Sequence, residues 1–247
     1  MSRSAVVSFD RVYKTYARQL GEPAHVALTA ASFHLQEGET LGMIGPNGAG
    51  KSTCLRLILD FIRPDQGEIF IFGYAPARAS LRQRIGYLPE AASLPLNLSC
   101  LDMMRFAGQS CQMSSEVIAQ AAEKWLVRLG LWGDRHRLLR GYSKGMLQRA
   151  SFALALIHDP DVLILDEPMS GLDPIGRADI VSLVQELKKS GKSILFCSHL
   201  LEDVERLVDR LIILHHGSVL FHGTLGELSS EGEGFEDRFV SLVKGKT

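Results

Sequence analysis

The sequence predicts an α/β fold: a parallel sheet covered by helices on both faces, interrupted by a helical lobe. Three observations carry that prediction. Short apolar strands alternate with segments of helical period towards both ends of the chain, the pattern of buried parallel strands joined by helices. A glycine-rich turn at 45–50 sits between a strand and a helix. From about residue 91 to residue 158 the strand signal disappears and only helical spacing remains.

Residues 6–16 and 26–35 read as strands, separated by a polar connection at 18–25 that holds Gly21 and Pro23. Residues 41–44 form a short apolar strand that runs into the glycine turn, and 51–62 has helical spacing, ended by Pro64. A strand follows at 69–72, and 81–84 ends a helix that leads into a strand at 85–88. The lobe carries three helical segments, 101–109, 115–129 and 146–158. Strand 162–165, helix 175–189, strand 193–197, helix 200–208 and strand 211–214 then resume the alternation. The main domain is expected to span 1–228, with 229–234 a flexible linker and 235–244 a helical segment in a tail that runs to 247.

Composition excludes several function classes. The 247 residues are 46% hydrophobic and 22% charged, enough to bury a sizeable core. A formal charge of −1 gives no electrostatic support for nucleic-acid binding, and none is expected. Cys54, Cys100, Cys111 and Cys197 form no CxxC pair, which argues against structural zinc and a disulfide framework. The first ten residues lack a basic start followed by an apolar stretch, so no signal peptide is expected. The longest apolar runs, 152–157 and 162–165, fall far short of the roughly 20 residues of a spanning helix.

Gly45-Pro46-Asn47-Gly48-Ala49-Gly50-Lys51-Ser52 matches the P-loop pattern, and Thr53 follows. Glycines let backbone N–H groups converge on phosphate oxygens, and the helix opening at Lys51 adds the positive end of its dipole. Lys51 is placed to reach the β- and γ-phosphates, and the Ser52 hydroxyl to hold Mg²⁺. Residues 162–165, all apolar, precede Asp166 and Glu167, a Walker-B arrangement. A buried strand would deliver Asp166 to the metal, and Glu167 would hold the attacking water as general base. A glycine turn and a capping acid pair ahead of Pro168 are the plain alternatives.

With these motifs the sequence resembles the ABC (ATP-binding cassette) ATPase family over nearly its whole length. The resemblance implies a P-loop NTPase core with an N-terminal antiparallel β-subdomain, and ATP and Mg²⁺ as ligands. Gly141 to Arg149 falls at the family's signature loop, usually Leu-Ser-Gly-Gly-Gln. Ser143 and Gly145 match and are implied to contact ATP held by a second subunit; Ser143 also reads simply as a helix N-cap. Lys144 and Met146 depart from the usual form. Asp173, in Ser170-Gly171-Leu172-Asp173, resembles the D-loop, and it also reads as a cap for the helix that Pro174 opens. His199 resembles the switch histidine that senses the γ-phosphate. Tyr16 looks like the aromatic that stacks on adenine, with Tyr13 as the alternative. Glu90 stands where the family has its Q-loop glutamine, and a carboxylate there can ligand Mg²⁺ or orient water.

The resemblance further implies two cassettes meeting head to tail, with a second copy preferred over a different cassette. It implies a separate membrane permease at the cytoplasmic face of the cell membrane, and points most towards exporters. A soluble ABC ATPase working on ribosomes or DNA is the rival reading.

Overall fold

The computed structural model describes residues 4–17, 24–91, 93–228 and 234–245. Most of the polar connection (18–23) and of the linker (229–233) lies outside the described residues. The chain forms two compact units, one of residues 1–82 with 187–247 and one of residues 83–186.

The first unit holds an antiparallel sheet and a mainly parallel one. β1 (Ala5–Tyr16) and β2 (His25–Gln36) pair antiparallel, and after β3 (Thr40–Ile44) comes β4 (Gln66–Ile71), which pairs with the other side of β1. Bulges interrupt the β1–β2 register, Ala31, Phe33 and Leu35 turn inward at alternate positions, and Phe9 stacks on Phe33 with ring centroids 4.3 Å apart. This is the antiparallel subdomain that the family resemblance implied. In the other sheet β3 lies between two parallel neighbours, β7 (Ser193–Cys197) and β8 (Arg210–His215), and β9 (Ser218–Thr224) returns antiparallel along β8. Every residue of β3 and β7 is buried, as expected of strands covered on both faces.

Sequence periodicity placed these elements better than their ends. Helix α1 (Lys51–Ile58) stops four residues short of the expected limit of 62. Asp60 takes a left-handed conformation at φ 57°, and the Asp60 and Phe61 amides bond back to Leu57 O (3.2 Å) and Arg56 O (2.9 Å). That pair of bonds closes a Schellman turn, which an aspartate tolerates better than most non-glycine residues. The expected helix at 81–84 is a 3₁₀ turn, Ala79–Arg84. β4 begins at Gln66, three residues before the expected start, because Gln66 and Glu68 pair with Tyr13 and Asp10 of β1 although their side chains are polar. β9 and the short α7 (Leu225–Leu228) were not expected; nearly every residue of β9 is half-buried, so no alternation marks it. Helix α6 (Leu201–Leu207) follows β7, and α8 (Phe235–Lys244) forms where the tail showed helical spacing.

The second unit pairs β5 (Ile85–Leu88) in parallel with β6 (Val162–Asp166) and carries the helices of the expected lobe. α2 (Cys100–Ser110) opens with a capping box in which Ser99 and Asp102 satisfy each other's backbone amides. α3 (Ser115–Arg128) is capped by Ser114, and α4 (Lys144–Leu156) by Ser143. The Ser143 cap starts α4 two residues before the expected 146. Met104, Ile118, Ala122, Leu126 and Phe152 are buried among these helices. α5 (Pro174–Lys189) runs from the second unit into the first. Among the described residues no helix is long and apolar enough to cross a membrane.

Candidate nucleotide site

The first unit's contribution is made of backbone. β3 ends at Ile44 and the chain turns through Gly48 (φ 78°) and Gly50 (φ 109°) into α1. At Gly50 a Cβ would stand 2.7 Å from Ala27 O and 2.9 Å from the Leu28 side chain, so only glycine fits. Gly50 is also the N-cap of α1 and offers no side-chain cap, and no acidic residue lies in the first turn. The helix's first amides therefore face outward as donors for an anion. Lys51 Nζ donates to Gly45 O at 2.6 Å and Pro46 O at 3.2 Å, which holds the ammonium over the loop. Asn47, Gly48 and Ser52 are exposed at the same end. Thr53 is buried, and its hydroxyl lies 3.4 Å from that of Tyr16. Tyr16 thus reaches the P-loop helix, whereas Tyr13 lines a separate cavity with Asp10, Gln66 and Glu68.

Strand register fixes which candidates share an edge. Met43 of β3 pairs with Cys197 of β7, so Gly45 and His199 leave the first unit's parallel sheet at the same carboxyl edge. Open α/β sheets bind ligands at that edge. In the second unit Leu88 pairs with Leu165, which brings the loop holding Glu90 to the same edge as Asp166 and Glu167. Glu90 and His199 are exposed, and Asp166 and Glu167 are half-buried. Glu167 sits at φ 48°, a strained conformation for a non-glycine residue.

The remaining candidates converge on one cavity of about 370 Å³ in the second unit, lined by Ser143, Lys144, Gly145, Arg149, Leu172 and Asp173 among others. Ser143 Oγ accepts the Met146 amide at 3.2 Å, and Asp173 Oδ1 accepts the Gly176 amide at 2.7 Å. Both are helix caps, as the sequence suggested, and both caps open on the same space. Tyr142 anchors the loop from behind by donating to Asp134 O at 2.9 Å, and burial pushes its phenol up to about 12.

Two residues in this arrangement were given no role from sequence. Gln148, 4% exposed, donates to Pro168 O at 3.2 Å and so ties α4 to the segment that follows Glu167. Arg149 donates to Gly145 O and to Leu129 O, at 3.4 and 3.2 Å. The only sequence signal for Gln148 was a polar residue on the buried face of an apolar helix.

Among the described residues no cluster of three or more His, Cys, Asp or Glu could hold a metal by itself. The proposed donors Ser52, Asp166 and Glu90 are all oxygen ligands. That set suits Mg²⁺, which takes one or two carboxylates and completes its shell with water and substrate phosphates. The four cysteines form no disulfide, and burial pushes the Cys54 thiol up to about 12, consistent with a packing role for that residue.

A strand, a glycine turn and a helix opened by Lys51-Ser52, at the carboxyl edge of a parallel sheet, define a P-loop nucleotide-binding fold. The ABC transporter family model matches residues 28–170. The chain belongs to that family. It is 41% identical to an uncharacterized ABC transporter ATP-binding protein of Synechocystis over 85% of its own length. It is 35% identical to the Nod factor export ATP-binding protein I of Cupriavidus metallidurans over 91% of its length. It spans 60% and 73% of those two proteins. A solved structure described as the ATP binding subunit of an ABC transporter aligns with TM-score 0.86 at 28% identity, covering 96% of this chain and 99% of that one. The dimeric ATP-binding cassette MJ0796, in a post-hydrolysis state with ADP and Pi, aligns with TM-score 0.81 at 26% identity, covering 88% and 98%.

Proposed function

We propose that the chain binds and hydrolyses ATP as the motor subunit of an ABC transporter, and that it works as a head-to-tail dimer. The observation that carries this reading is the cavity lined by Ser143, Gly145 and Asp173, which we read as a second phosphate-binding surface on a chain that already has a P-loop. A P-loop needs no such surface within its own chain; a P-loop on a second copy does. Ile175, 77% exposed beside Asp173, adds an apolar contact suited to burial between copies.

In this reading ATP lies between Lys51 and Ser52 of one copy and Ser143 and Gly145 of the other. Tyr16 stacks on the adenine, and the first amides of α1 with the glycine turn before it take the phosphates. Ser52 and Asp166 are the proposed Mg²⁺ ligands, with Glu90 as a further carboxylate. Bound Mg²⁺ would neutralise charge on the phosphate oxygens. Glu167 removes a proton from the attacking water as its oxygen bonds to the γ-phosphorus and the bridging oxygen departs with ADP. His199 senses the γ-phosphate, and Asp173 belongs to the loop that crosses the interface. Lys144, in the first turn of α4, opposes the helix dipole unless an anion is near, and the partner-held triphosphate is that anion.

The dimeric MJ0796 cassette with ADP and Pi supports the ATPase and dimer parts of the reading. The Nod factor export relative supports export. The route we propose is a separate permease, with this chain at the cytoplasmic face of the membrane. A homodimer is preferred because one chain supplies both kinds of half-site. The test is co-purification from membranes. Recovery of a polytopic protein with the tagged chain supports the transporter reading, and recovery of ribosomes instead contradicts it.

A further inference from the structure

A cluster that the nucleotide chemistry does not use sits where β2 faces β9, wholly within the first unit. Arg210, the first residue of β8, donates from Nη2 to His222 Nε2 at 2.9 Å. Its Nη1 donates to His34 Nε2 at 3.3 Å and to Glu39 Oε1 at 3.4 Å. The two imidazoles meet edge-on with centroids 4.8 Å apart. Glu39 is 2% exposed and also accepts the Gln36 amide at 2.6 Å. A guanidinium can only donate, so each Nε2 must accept, and both rings are neutral with the proton on Nδ1.

The same two regions are joined a second time. Thr29 N of β2 donates to Gly217 O, in the turn before β9, at 2.9 Å. Gly217 N donates to Ala49 O of the P-loop at 3.0 Å. β2 also pairs with β1 as far as Tyr16↔His25, and the Tyr16 hydroxyl meets Thr53 of α1. A continuous set of contacts therefore links Arg210, through β2 and the β8–β9 turn, to both the P-loop and Tyr16.

We infer that Arg210, His34 and His222 form a proton-sensitive clamp that positions the antiparallel sheet, and with it Tyr16, against the P-loop. Uptake of a proton by either imidazole weakens the grip on the adenine. The inference rests on the proposed contact of Tyr16 with the base. A proton on either Nε2 turns an acceptor into a donor and sets a second cation against Arg210. Burial, then Arg210, pulls His34 below its ordinary value, with Glu39 opposing. Burial, then Arg210 and His34, pulls His222 to about 4, with the His34 backbone and Glu227 of α7 opposing. Both groups are depressed, so the clamp is intact above the ordinary value of about 6.5 and fails as pH falls below it towards 4.

The test compares ATP with inorganic tripolyphosphate by calorimetry on the full chain at about pH 7.5 and about pH 5.5. Tripolyphosphate engages the P-loop but has no base for Tyr16. The comparison variant is His34→Gln with His222→Gln, whose amide oxygens accept from Arg210 but do not titrate. The expected result is a wild-type ATP affinity that falls severalfold, at most about tenfold per histidine, beyond any change for tripolyphosphate. In the double variant that extra fall disappears. An equal fall in the variant, or an equal fall for tripolyphosphate, overturns the clamp. A second arm needs no variant: in the wild type, protection of the Thr29 amide from hydrogen exchange, corrected for intrinsic rate, must drop over the same range while that of α4 does not. Unchanged protection at Thr29 overturns the clamp too. Absence of ATP binding at neutral pH contradicts the proposed function instead, and the exchange arm still decides the clamp.

Discussion

The two units offer candidate phosphate contacts of different kinds. In the first unit the proposed contacts are backbone amides, presented by a turn in which Gly50 has no room for a side chain. In the second unit they belong to side chains and loops that already do structural work, since Ser143 and Asp173 cap α4 and α5 whatever else they contact. A backbone cradle fails when its geometry is disturbed. A capping side chain has two roles, and these can be separated by substitution.

The largest effect is expected in the first unit. Lys51→Ala should lower ATP turnover by at least about 10²-fold while leaving thermal stability nearly unchanged, as read by phosphate release and melting temperature. Gly50→Ala should differ from it in kind. It forces a Cβ against Ala27 O at a positive φ, and should cost roughly 1–3 kcal/mol of folding stability as well as ATP binding, measured by denaturant unfolding and calorimetry.

In the second unit the pair Ser143→Ala and Ser143→Asp separates the two roles. Alanine removes the cap and should cost about 1 kcal/mol of stability. Aspartate keeps the cap, and should keep stability, but places a negative charge where a partner's phosphate would sit. Loss of ATP-driven dimerisation by Ser143→Asp with stability intact would sharpen the contrast between the units; normal dimerisation would reduce Ser143 to a cap. The smallest effect is expected for Lys144→Ala, a severalfold weakening of ATP-driven association that shrinks as salt rises, read by light scattering at two ionic strengths.

The same contrast explains what could be read from sequence. The P-loop was legible because a backbone cradle demands glycines at fixed spacing, and β3 and β7 were legible as unbroken apolar runs. Ser143 and Asp173 matched family loops but read equally as plain caps, and it took the fold to show that both line one cavity. Sequence preferred Tyr16 with Tyr13 as the alternative, and only the fold shows the Tyr16 hydroxyl 3.4 Å from that of Thr53. The early end of α1 depended on Asp60 adopting a left-handed turn, which periodicity does not register. That the loop holding Glu90 leaves the sheet at the same edge as Asp166 follows only from the β5–β6 register. The His34–Arg210 contact joins residues 176 positions apart, beyond any local pattern.

The central claim is that ATP holds two copies of this chain together and that Glu167 then promotes its hydrolysis. Glu167→Gln, mixed with ATP and Mg²⁺ and followed by light scattering with phosphate release, tests it most directly. The account predicts a stable dimer that forms with ATP but not ADP, with phosphate release nearly abolished. A variant that stays monomeric with saturating ATP, or that turns over like the wild type, would contradict it.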